Sequence, residues 1–94
     1  MIHYFYPISP HGAWLIRPEP GNSGSWQLVL LGPGEKEQVV SSFPFPHQAS
    51  YALVTFQTGN ADWDSIPVNF PGMAAEYGRQ GLHDLKKWHC FDVP

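Results

Sequence analysis

Apolar positions recur with a period of two in the first half of the chain and of three to four in the second. Residues 2–6 bring Ile2, Tyr4, Phe5 and Tyr6 together in a β-branched and aromatic run that predicts a short strand. Residues 13–17 predict a second. In 26–31, Trp26, Leu28 and Leu30 point one way and Gln27, Val29 and Leu31 the other. Both sets are nearly apolar, so this strand is expected at the centre of a sheet or covered on both sides. The alternation returns in 37–43, with Glu37, Val39, Ser41 and Phe43 set against Gln38, Val40 and Ser42. Turn formers separate these runs: Pro18, Pro20, Gly21 and Gly24, then Gly32, Pro33 and Gly34. The expectation is an antiparallel meander of three or four strands.

The period then changes. Phe45, Ala49, Ala52, Leu53 and Phe56 form one stripe of an α-helix over residues 46–58. Pro46 suits the first helical turn, and Gly59 suits the left-handed position just past the last. A polar connector, 60–70, leads to a second stripe made by Ala74, Tyr77, Gly81, Leu85 and Trp88, which predicts a helix over 72–90. Gly78 and Gly81 each cost roughly 0.5–1 kcal/mol relative to Ala inside a helix, so they either break it or admit a second backbone. Asp84 and Lys87 are spaced to pair on its exposed face. Strands followed by helices give an α+β domain, a single unit over 1–94, with both helices packed on one face of the sheet.

Composition narrows the class. Leu, Ile, Val and Phe supply 23 of 94 residues, enough for a core, while charged residues are only 14% against about 25% in an average globular protein. A disordered charged tail is excluded. The net charge is −3, and Arg17, Lys36, Arg79, Lys86 and Lys87 are the whole supply of Lys and Arg, so gripping a phosphate backbone is disfavoured. No apolar run nears the ~20 residues needed to span a bilayer, and no basic–apolar leader opens the chain. A lone cysteine, Cys90, argues against a disulfide scaffold and for a reducing, cytoplasmic setting. A core this small would gain from a homodimer.

Candidate chemistry is sparse. His83, His89 and Cys90 are the nearest metal set, with His3, His11 and His47 able to join only through the fold. Six residues on a helix turn His83 and His89 to different sides, and zinc spacings are absent. Cys90 has His89 beside it and Lys86 and Lys87 a turn before, but a nucleophile needs a base that faces it. Asp62 and Asp64 bracket Trp63 without the further oxygens of a cation loop, and read as turn residues around a tryptophan folded back over the helix. No phosphate-binding, zinc-protease or nucleophile-elbow motif occurs. No cofactor or metal is expected, and the chain does not read as an enzyme.

Aromatic side chains are in excess. Tyr and Trp with little charge match the composition of interface centres. The expected function is therefore a non-catalytic protein-binding module, a regulator or inhibitor that occupies a partner protein's surface, with Tyr4, Tyr6, Trp14, Trp63 and Trp88 as contacts. The size and lack of catalytic motifs fit an anti-defence factor of a phage or mobile element. The alternatives are a metal- or thiol-dependent catalyst built on Cys90, His83 and His89, and a weak single-strand nucleic-acid binder using sheet aromatics.

Overall fold

The computed structural model describes residues 1–9 and 12–94. Pro10 and His11, the latter one of the histidines considered above as a ligand, lie outside the described residues. Five antiparallel strands form one sheet: β1 (Ile2–Ser9), β2 (Gly12–Pro18), β3 (Trp26–Leu31), β4 (Glu37–Phe43) and β5 (His89–Asp92), in the order β4-β3-β2-β1-β5. The first four are the expected strands. The fifth lies where the sequence predicts the end of a helix. It pairs with β1, Tyr4 opposite Cys90 and Phe5 opposite His89, so the central strand is β2 and β3 lies beside it.

The helical layer is α1 (Pro46–Thr55), α2 (Ala61–Asp64), α3 (Ile66–Asn69) and α4 (Pro71–Arg79). Pro46 opens α1 as expected, but the helix ends before 58. Gly59 also has a positive φ (94°), but three residues before it Phe56 takes the left-handed position that caps α1, with φ 56°. A bulky residue there costs on the order of 1–2 kcal/mol, and its ring is held by stacking on Trp63, 5.7 Å between centroids. Ala49, Ala52 and Leu53 face the core together with Ser50, whereas Phe45 is exposed. The supposed polar connector forms α2 and α3. Asn60 caps α2 by accepting the Trp63 N–H (3.0 Å), and Pro67 sits in the first turn of α3.

The predicted helix over 72–90 stops at Arg79. Gly81 adopts φ +77°, and a Cβ there would meet Lys87 Cδ at 2.7 Å, so the chain turns and Lys87 lies across it. Asp84 accepts the Lys86 N–H (3.0 Å) and caps a short 3-10 turn, Leu85–Lys87. Trp88 then runs extended into β5. Within this segment the Trp88 indole donates to the Leu82 carbonyl (2.8 Å), and the Ser50 hydroxyl of α1, 3.0 Å from the His83 carbonyl, ties it to the layer.

The core lies between the layer and one face of the sheet. Tyr4, Tyr6, Trp14, Ile16, Trp26, Leu28 and Leu30 supply the sheet side; Ala49, Leu53, Trp63 and Leu82 supply the other. The opposite face carries Phe5, Leu15, Val29 and Val39 in one row across four strands. No helix packs there among the described residues, yet Val29 is fully buried. Arg17 on β2 and Glu37 on β4 flank β3 on this face. Their salt bridge (2.8 and 3.0 Å) therefore crosses β3, and Arg17 Nε also donates to Gln27 Oε1 (3.1 Å). The arginine stem acts as a cover over apolar surface.

Removing that cover should cost more than breaking the ion pair. Arg17→Ala is expected to lower unfolding free energy by about 1–2 kcal/mol and Glu37→Ala by less than about 1 kcal/mol. Urea titration at two ionic strengths checks this; equal losses in both variants would mean the stem covers nothing.

Candidate functional site

Trp63 is the hub of the helical layer. Asn60 fixes its backbone, and its indole donates to the Leu53 carbonyl of α1 (2.9 Å). Its ring meets Trp14 edge-on (5.2 Å, 82°), stacks on Phe56, and touches Tyr77 of α4 (4.8 Å). Tyr6 contacts Trp88 (5.3 Å) and donates through its hydroxyl to Gln80 (3.1 Å). Burial, with Tyr6 nearby, pushes the Tyr77 phenol above its ordinary range. One network thus links the sheet, α1 and α4.

The turn before Trp63 is built by Asp64. Its Oδ1 accepts from the Thr58 N–H (3.0 Å) and hydroxyl (2.7 Å), and its Oδ2 from the Gly59 N–H (2.9 Å). Burial works against its ionisation, but the Thr58 and Gly59 hydrogen bonds outweigh it and hold the carboxyl below the ordinary carboxylate range. Ser41 on β4 donates to the Thr58 carbonyl, and Gly59 passes so close that a Cβ would lie 3.3 Å from Ser41 Oγ. The acidic pair divides its work: Asp64 organises the turn, while Asp62 is exposed. A shallow cleft of about 230 Å³ opens beside it, lined by Trp14, Trp63, Leu30, Ile66, Gln38 and Asp62 among others.

The five expected contact residues fall into two groups. Trp14, Trp63 and Trp88 are 0, 6 and 4% exposed, so their rings belong to the core. Their large apolar area holds a thin sheet and an irregular layer together. Tyr4 and Tyr6 are half-buried on the layer side of β1. Large apolar side chains are exposed elsewhere, Tyr51 and Phe45 on and before α1 among them, and three lie close together in sequence: Val68 (83% exposed), Phe70 (58%) and Met73 (46%), on α3, the following junction and α4. Neither α3 nor α4 has a buried residue. The sequence does carry a signal for this tip, three large apolar residues in six positions beside Pro67 and Pro71.

The proposed catalytic set does not assemble. Cys90 lies opposite Tyr4 and His89 opposite Phe5, so their side chains leave β5 on opposite faces. Because the segment is a strand, Lys86 and Lys87 are not stacked one turn below Cys90. His83 is in the turn after α4, where its carbonyl meets Ser50. His3 stands beside Phe91; partial burial, then Arg17 and the N-terminal ammonium, hold its imidazole below the ordinary histidine range. No three His, Cys, Asp or Glu side chains cluster as metal ligands among the described residues. No described helix is long and apolar enough to cross a membrane.

Two predictions come from this network. Trp63→Phe and Trp88→Phe each lose volume and an indole hydrogen bond, whereas the Trp14 indole N–H has no partner among the described residues. Trp14→Phe should therefore be the mildest of the three, by about 1 kcal/mol in denaturant unfolding; an equal or greater loss would place a hydrogen bond on that indole. Asp64→Asn should cost about 1–3 kcal/mol at neutral pH. A carboxyl whose folded pKa is depressed contributes stability above its unfolded value, and loses it as pH falls through the folded one. Thermal melts should thus show the wild type converging on the Asn variant below about pH 4. Comparison with family models, with curated proteins and with solved structures finds no match, and the functional reading rests on the geometry of this chain.

Proposed function

We propose that the protein is a non-catalytic protein-binding module that docks through the tip of α3 and α4. The observation that carries this is the exposure of Val68, Phe70 and Met73, three large apolar side chains close together in sequence. Exposed apolar clusters are costly to leave in water and mark interaction surfaces. Charge is low around them: among α3, Phe70 and α4, only Glu76 and Arg79 are charged, and they pair with each other (2.7 Å). An apolar pocket on a partner protein would accept such a tip, with Phe70 as the central anchor.

The same placement makes the tip adaptable. α4 meets the rest of the fold chiefly through Tyr77 on Trp63 and through Gln80, just past its end, on Tyr6. A helix held at one end can adjust its other end on docking at little cost to the core. The role expected of Tyr4 and Tyr6 then becomes support, since the Tyr6 hydroxyl holds Gln80.

A photo-crosslinking residue at position 70, expressed in the native host, should trap one discrete partner. Untagged wild-type protein should compete for it, and Val68→Ala/Phe70→Ala protein, with an unchanged circular dichroism melt, should not. The same products from a crosslinker placed at Ser23 in the distant β2–β3 loop, or equal competition by the double variant, would move the docking surface elsewhere.

A further inference from the structure

The outer edge of β5 is open, and its hydrogen-bonding phase can be read. Met1 and Val93 exchange both main-chain hydrogen bonds, each 2.7 Å, in the register that pairs Tyr4 with Cys90. Antiparallel partners alternate between bonded and non-bonded pairs. His89 and Phe91 therefore turn their N–H and C=O groups toward β1, and Cys90 and Asp92 turn theirs outward. Sheet order ends at β5, and all four of its residues are exposed. The strand is short and ends in the charged Asp92, but no lysine, proline or bulge lies within it. At the other edge, Gly59 approaches β4 at Ser41 and the Val40 carbonyl, and the β3–β4 ladder is interrupted by a bulge.

We infer that β5 pairs antiparallel with β5 of a second copy, about a two-fold axis through Cys90, giving a continuous ten-stranded sheet. The side-chain pattern selects a second copy over an unrelated strand. Within the chain, β1 and β5 match histidine with phenylalanine twice, His3 with Phe91 (5.6 Å) and Phe5 with His89 (6.3 Å). Pairing about Cys90 sets Phe91 opposite the partner's His89 and the reverse, so the same match appears twice more on the same face. Cys90 exchanges both main-chain bonds with its counterpart, and each Asp92 N–H reaches the Trp88 carbonyl opposite. Trp88 supplies only its carbonyl, because its N–H is bonded to Leu85 (3.1 Å). Four hydrogen bonds and two aromatic pairs make a small interface, and hence a dimer that forms with rising concentration. This surface is separate from the α3–α4 tip.

Analytical ultracentrifugation from low micromolar to near-millimolar concentration should show the mass doubling. Cys90→Pro removes the outward N–H and leaves the β1–β5 bonds in place, a position where an edge strand tolerates proline; it should remain monomeric throughout with its circular dichroism spectrum retained. A wild type that stays monomeric overturns the inference, as does a folded Cys90→Pro protein that still dimerises. If that variant does not fold, the wild-type dimer decides. Paired residues lie about 5.5 Å apart at Cα, within disulfide reach. Diamide should then convert the dimer into a Cys90–Cys90 disulfide with the same sedimentation coefficient, and a dimer that gives no such crosslink refutes the pairing.

Discussion

The indole of Trp63 is the contact on which the helical layer depends. Two of its helices are only four residues long, and α4 has no buried side chain, so none of these could hold itself on the sheet through a stripe of its own. Trp63 supplies the missing connection. It donates to α1, carries Phe56 on one side, meets Trp14 of the central strand and receives Tyr77 from α4. The left-handed Phe56 and the Asp64-centred turn are consequences: the chain must leave α1 early and reverse tightly to bring position 63 over Leu53. The backbone strain at Phe56 is offset by ring stacking and by the hydrogen bonds that follow it.

The two faces of the sheet are stabilised by different means. One is covered by the layer and filled by aromatic rings. The other is an apolar row whose central residue, Val29, is closed off with Arg17 and Glu37 bridging above it. A thin domain with few charges cannot spare a helix for each face, and a long side chain over a valine is the smaller solution. The apolar remainder of that face, Phe91 at its β5 end and Val39 on β4, is left half open.

The aromatic excess divides between these tasks. Tryptophan is consumed by the core, where its two donors on Trp63 and Trp88 find main-chain carbonyls. Among the exposed apolar residues, Val68, Phe70 and Met73 lie close together on the layer, and Phe91 lies on the edge strand. All four lie outside the five contacts expected from the sequence, because counting aromatic rings takes no account of which are already enclosed. Histidine and cysteine chemistry is dispersed by the same geometry, since adjacent strand residues face opposite ways.

How much was legible in the sequence follows from the range of the forces involved. The first four strands and the start of α1 are written locally: alternation of Leu28 and Leu30 with Val29 and Leu31, turn chemistry at Gly32–Gly34, and Pro46 at a helix start depend on neighbours within a few residues. The α+β class followed from their order. The fifth strand was hidden because residues 85–92 have a helical spacing of apolar positions, and only β1, more than eighty residues away, offers the hydrogen bonds that make the segment a strand. Gly81 carried the local clue, as a residue able to take a positive φ where Lys87 leaves no room for a Cβ. The site was less legible still. Burial of Trp14, Trp63 and Trp88, and the exposure of Phe70, are decided by which surfaces meet across the core, and that depends on long-range packing that no window of sequence contains.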